Sequence, residues 1–159
     1  DEFFPVHPND DYSMSKMRAE RRVSISCSNA TILRLFYPYG WSQKGRLIPN
    51  LIEKVKNGSP IKDYGGKPRI NPIHVTDVSR YIEWFMDNQQ AGVFNVAGRE
   101  IVSIRGLVTL IGAMLGKEPV FETEFSLFND LIGNTQTVEN LTGIKCNVNL
   151  RDGIYEMIH

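Results

Sequence analysis

The chain contains no apolar run near the ~18 residues that would mark a membrane-spanning helix, so no membrane partner is expected. Charge of either sign is not in excess: 18 basic residues balance 18 acidic ones. That argues against a nucleic-acid partner, which calls for a basic surplus, and against an acidic solvating tail. Cysteine is scarce. Cys27 and Cys146 are far apart and lack metal-ligand spacing, so a disulfide framework is not expected and a reduced, cytoplasmic setting is. His7, His74 and His159 are scattered and form no ligand pair, so no metal site is expected. There is no internal repeat, low-complexity stretch or long linker.

What is present is an apolar fraction of 42%, enough for one core in 159 residues. Residues 1 to 9, with Pro5 and Pro8, read as an irregular lead-in. Asn9 or Asp10 can cap a helix running to about Arg22 or Val23. Ala30 to Phe36 is an apolar stretch interrupted by Arg34, as in a buried parallel strand, and Tyr37-Pro38-Tyr39-Gly40 ends it in a turn. Leu47 to Asn57 is amphipathic, with Gly58 suited to close it. Ile61 to Tyr64 and Ile70 to Val75 read as extended, and Thr76 as the cap of a helix to about Asn88. A short strand follows at Val93 to Val96, then a helix capped by Ser103, reaching Leu115 and closed by Gly116. Val120 to Glu122 suits a further extended piece, and Thr135 to Leu141 and Leu150 to Ile158 suit two last helices. Alternation of strand and helix argues for an α/β arrangement.

The most specific segment is Tyr12-Ser13-Met14-Ser15-Lys16-Met17-Arg18-Ala19-Glu20. A Tyr and a Lys four apart on a helix share one face, one turn apart. An ammonium beside a phenol favours the phenolate, so a group of ordinary pKa ~10 can serve as a base nearer neutrality. The pattern Y-x-x-S-K-x-x-A-E resembles the active-site helix of the extended short-chain dehydrogenase/reductases, the NAD(P)-dependent epimerase/dehydratase family. Glu2, Pro5 and Pro8 resemble the lead-in to that helix. Downstream, Arg34-Leu35-Phe36-Tyr37-Pro38-Tyr39-Gly40 is similar to the family's R-x-x-N-V-Y-G. Gly66 to Val78, with His74, Val75, Asp77 and Val78 in place, is similar to its G-x-x-x-R-x-F-V-H-V-x-D-V-A. Gly92 to Gly98 and Leu141 to Ile154 resemble its G-x-x-Y-N-V-G-G and closing segments, so the likeness runs along nearly the entire chain.

The resemblance implies a partial Rossmann-type parallel sheet with helices, plus the small C-terminal substrate-binding part. The chain would be one C-terminal portion, with about 1–45 and 70–100 in the sheet region and about 46–69 and 101–159 in the substrate-binding part. Tyr12 would be the general acid/base, and Lys16 its electrostatic partner and ligand of the nicotinamide ribose. Tyr37 and Pro38 would lie near the nicotinamide, although Tyr37 stands where many sugar-nucleotide enzymes carry an Asn that meets the substrate diphosphate. Tyr39, Arg46, Asn50 and Arg69 would face the substrate, with Arg69 one residue further from Asp77 than the usual phosphate-binding Arg. His74 is expected to pack or hydrogen-bond, and Asp77 to cap or orient the next helix. The cofactor implied is NAD or NADP, the leading substrate a nucleotide sugar, and the assembly a homodimer that pairs through the Tyr12 helix.

No G-x-x-G-x-x-G or G-x-G-x-x-G occurs in the sequence. That loop would set backbone N–H groups and a helix N-terminus against the cofactor pyrophosphate. The N-terminal cofactor-binding half is thus expected to lie outside these residues, and the fragment alone is expected to be inactive. The competing reading is a non-catalytic binding or assembly module that retains the fold.

Overall fold

The structure, a computed structural model, describes residues 2, 11–126 and 128–159. The elements run α1 (Asp11–Ser26), β1 (Thr31–Leu35), α2 (Leu47–Asn57), β2 (Ile61–Asp63), β3 (Arg69–Ile70), α3 (Val75–Asn88), β4 (Gly92–Val96), β5 (Val102–Ser103), α4 (Ile104–Leu115), β6 (Phe121–Thr123), α5 (Gln136–Thr142) and α6 (Leu150–Ile158). β1 and β4 pair in parallel, Thr31 opposite Gly92 through Leu35 opposite Val96. β2 pairs in parallel with β6, and β3 antiparallel with β5. Parallel neighbours need a crossover, and α3 closes the chain from β3 towards β4.

Two apolar clusters hold these pieces. The first joins Ile48, Leu51, Ile52 and Val55 of α2 to Leu107, Val108 and Ile111 of α4 and Leu150 and Ile154 of α6. The buried positions of α2 recur three and four apart, so its single apolar face is fully used. The second sets Val78, Tyr81 and Phe85 of α3 over Phe94 and Val96 of β4, with Val138 of α5 and Cys146. Phe85 and Phe94 meet with ring centroids 4.8 Å apart.

Several boundaries differ from the sequence reading. α1 continues to Ser26, about a turn beyond the expected end. Its expected caps, Asn9 and Asp10, lie outside the described residues. Of the stretch Ile70 to Val75, only Ile70 is in a strand, His74 forms an isolated parallel bridge with Tyr39, and Val75 already begins α3. The α3 cap is His74, not Thr76: the His74 side chain accepts the Thr76 backbone N–H. Asp77 was expected to serve the helix; instead its carboxylate accepts the backbone N–H groups of Asn147 and Val148 and pairs with Arg80. It is 1% exposed and pins the loop that leads into α6. β1, read as a buried parallel strand, contains no fully buried residue and has a single neighbour, β4, among the described residues.

Candidate active site

The site builds from α1 outward. Helix geometry places Tyr12 and Lys16 on one face, and Lys16 Nζ lies 5.5 Å from the centroid of the Tyr12 ring. Tyr12 is 64% exposed, and α1 has no buried residue. Among the described residues the Lys16 ammonium forms no ion pair. The last residue of the motif, Glu20, has a part that its spacing did not reveal. Its carboxylate accepts Arg34 Nε of β1 at 3.0 Å and receives a second, shorter bond from the same guanidinium. Arg34 also donates to the Glu2 carbonyl at 3.0 Å. The helix motif and the strand motif are therefore joined through their charged ends, and Glu20 raises the Arg34 pKa further by its hydrogen bond.

β1 then turns at Tyr37, which is held at a φ of 45°. That left-handed conformation is uncommon for a bulky residue and marks a constrained turn. Tyr37 is half-buried, and burial raises its phenol pKa. The Pro38 carbonyl accepts the Gln43 side-chain amide at 3.1 Å. Tyr39 departs from the expected substrate-facing placement: it is 2% exposed and part of the first apolar cluster. Desolvation raises its phenol pKa far above the usual range, with Glu100 and Asp77 adding to the effect.

Arg46 and Asn50 stand exposed at the start of α2, where Arg46 occupies the cap position without a side-chain cap bond. Arg69 is committed elsewhere. Its guanidinium bonds Asp130 Oδ2 at 2.7 and 2.9 Å, and its backbone N–H bonds Asp130 Oδ1 at 2.8 Å. Lys67 adds a 2.9 Å bond to the same carboxylate. The Arg69 and Lys67 bonds depress the Asp130 pKa far below the usual carboxylate range.

One positioning contact escaped the sequence. Asn71 is buried, and its amide donates to the Gly133 carbonyl and accepts the Gly133 N–H, both at 2.9 Å. Gly133 is seated on Phe36, the residue just after β1; a Cβ at 133 would come within 2.7 Å of that ring. An unusual buried Asn in the third motif was the available signal. Among the described residues, no group of three or more His, Cys, Asp or Glu could hold a metal.

A profile of the NAD dependent epimerase/dehydratase family matches residues 1–97. A dTDP-4-dehydro-6-deoxy-D-allose reductase from Streptomyces bikiniensis is 36% identical over 75 residues, covering 46% of this chain and 23% of that protein. The solved dTDP-glucose 4,6-dehydratase from Bacillus anthracis, in complex with NAD, superposes with a TM-score of 0.86 at 23% identity, covering 99% of this chain and 54% of that one. UDP-glucuronic acid 4-epimerase from Bacillus cereus, in complex with UDP-glucuronic acid and NAD, superposes with a TM-score of 0.87 at 20% identity, covering 99% and 54%. The chain thus spans about a quarter of the curated relative and about half of the solved structures. At these identities the superpositions speak for the fold, a partial Rossmann-type α/β arrangement.

Proposed function

The chain belongs to the NAD dependent epimerase/dehydratase family, and we propose on that premise that it is the C-terminal portion of an NAD(P)-dependent epimerase, dehydratase or reductase. The reaction is at a hydroxyl- or carbonyl-bearing carbon of a nucleotide sugar. The observation that carries this reading is the Tyr12–Lys16 pair, exposed on one face of α1. The residues fit the nicotinamide end of the cofactor. An exposed phenol and an ammonium without an ion pair among the described residues suit a ribose hydroxyl and a substrate oxygen. Tyr12, Lys16, Tyr37 and Pro38 would hold that end, while the pyrophosphate falls to residues outside this sequence. When bound, the nicotinamide supplies the hydride chemistry.

Tyr12 Oη gives the proton to a substrate carbonyl oxygen as it is reduced, or takes it from a hydroxyl as it is oxidised. Lys16 supplies positive charge beside the phenol and a donor to the ribose. Glu20 and Arg34 fix the helix that carries both to the strand that leads to the turn. Arg46 and Asn50 face the substrate. The Arg69 guanidinium donates to Asp130 through Nε and Nη2, and its Nη1 would meet a phosphate. The complete enzyme is a homodimer with α1 at the contact.

In the complete enzyme, Tyr12→Phe is expected to lower kcat by about 10²–10⁴-fold while cofactor affinity stays near the parent value. Lys16→Met is expected to weaken both. Steady-state kinetics with dTDP- or UDP-sugars and NAD binding by calorimetry read the two effects. Near-normal turnover in Tyr12→Phe would assign the proton to another group. A second reading, a non-catalytic assembly module, draws on the absence of any buried residue on α1. Sugar-nucleotide turnover by the complete protein would exclude it.

A further inference from the structure

His74 is 3% exposed and stands where three elements meet. On α3 it is the cap residue, and its Nδ1 accepts the Thr76 N–H at 3.4 Å. Towards the turn after β1, its ring stands edge-on to Tyr39, with centroids 5.2 Å apart and planes at 76°. The two backbones form a parallel bridge, with Tyr39 N–H donating to the Ile73 carbonyl at 2.9 Å and Val75 N–H to the Tyr39 carbonyl at 2.8 Å. Towards α6, its Nε2 is buried without a hydrogen-bond partner among the described residues, and Glu156 Oε2 lies 3.5 Å away. The Glu156 side chain is 54% exposed and can move.

A neutral imidazole has one donor and one acceptor. Nδ1 is the acceptor here, so the proton belongs on Nε2, aimed at Glu156. Charging the ring turns Nδ1 into a second donor. It then faces another donor, Thr76 N–H, at the N-terminus of α3. The Nε2–H is meanwhile drawn to the Glu156 carboxylate. The two sides of the ring are pulled unequally, and Tyr39 lies against it. Tyr39 in turn has no slack towards α6: a Cβ on Gly153 would fall 2.6 Å from its hydroxyl oxygen. Other ionisable groups near this junction are Asp77, held by Arg80, Asn147 and Val148, and Glu100 and Cys146, which act on Tyr39 through space.

We propose that His74 is a proton-operated latch between the C-terminal helix and the turn that carries Tyr37 and Pro38. Neutral, it caps α3 and seats the turn against α6. Charged, it releases Thr76, tightens on Glu156 and shifts Tyr39 and Gly153 together. The latch is a property of the fold and does not depend on the catalytic reading.

The test is an NMR titration of the full chain in a His159→Gln background, since His159 stacks on Tyr155 of α6 and would report there as well. Long-range imidazole ¹⁵N spectra are expected to show the Nε2–H tautomer in the neutral state. On acidification, the amide signals of Thr76, Tyr39 and Gly153 are expected to move with the His74 midpoint. His74→Asn keeps a side-chain cap, and the linked movement of Tyr39 and Gly153 disappears. Glu156→Gln, at an exposed side chain, lowers the midpoint. An Nδ1–H tautomer, a pH response of Tyr39 and Gly153 that persists in His74→Asn, or an unmoved midpoint in Glu156→Gln would each overturn the latch.

Discussion

At the scale of single residues, the ion pairs of this chain fix what each paired group can do. Asp130 accepts from Lys67, from the Arg69 guanidinium and from the Arg69 backbone, so its carboxyl is more acidic folded than unfolded. A depressed folded pKa means that the stabilisation is fully present above the unfolded value and is lost as pH falls through it towards the folded one. The window therefore opens below about pH 4. Thermal unfolding from pH 7 down to pH 2 is expected to show an acid loss of Tm that is shallower in Asp130→Asn. Cys146 offers a second check. Burial, with Asp77 nearby, pushes its thiol up to about 11, and its Sγ donates to the Ala97 carbonyl. Cys27 is exposed. Thiolates are the reactive form, so alkylation at pH 8 is expected to label Cys27 quickly and leave Cys146 unmodified until the chain unfolds; mass spectrometry of the two peptides reads it. The sequence could place Arg69 in its motif but not foresee Asp130, which comes from a loop 61 positions further along.

Among the elements, legibility followed locality. α2 begins and ends where its apolar period and Gly58 indicate, with Gly58 at a φ of 65° receiving the chain as it leaves the helix. Ser103 caps α4 as its position before the apolar run suggests, its hydroxyl oxygen accepting the Gly106 N–H at 3.0 Å. Removing that acceptor leaves an unsatisfied donor, so Ser103→Ala is expected to cost ~1 kcal/mol in chemical denaturation, and Ser103→Asp to restore most of it. An unchanged midpoint in Ser103→Ala would mean that water replaces the cap. The α3 boundary was less legible because a buried imidazole took the cap role expected of Thr76, two residues later. The parallel pairing of β2 with β6 was not legible at all. Each strand is three residues long, and a register between segments so far apart is set by the packing of α2 on α4 rather than by any local pattern. The candidate site divided in the same way: the Tyr12–Lys16 spacing was local and could be read, whereas Glu20–Arg34 and Asn71–Gly133 join distant segments.

For the molecule as a whole, the two apolar clusters are well filled, with Leu33 of β1 packed against the second, yet α1 stands apart from them. α1 buries no residue and is attached by the Glu20–Arg34 pair. A single partly buried ion pair is a narrow attachment, and a polar helix of this length is marginal alone in water. β1 has one neighbour among the described residues, and Leu35 is 40% and Ile25 75% exposed. An uncovered sheet edge with apolar neighbours invites another strand or another copy. The purified 1–159 chain is therefore expected to bind a hydrophobic dye and to associate with rising concentration in sedimentation velocity. Replacing Arg34 by Met should remove that ion pair. Trypsin is then expected to cut at Arg18, Arg21 and Arg22 several-fold faster, while the α2–α4–α6 cluster stays resistant, because none of its buried contacts involves α1. A dye-silent monomer whose α1 resists trypsin as strongly as α4 would show that these residues already form a complete domain.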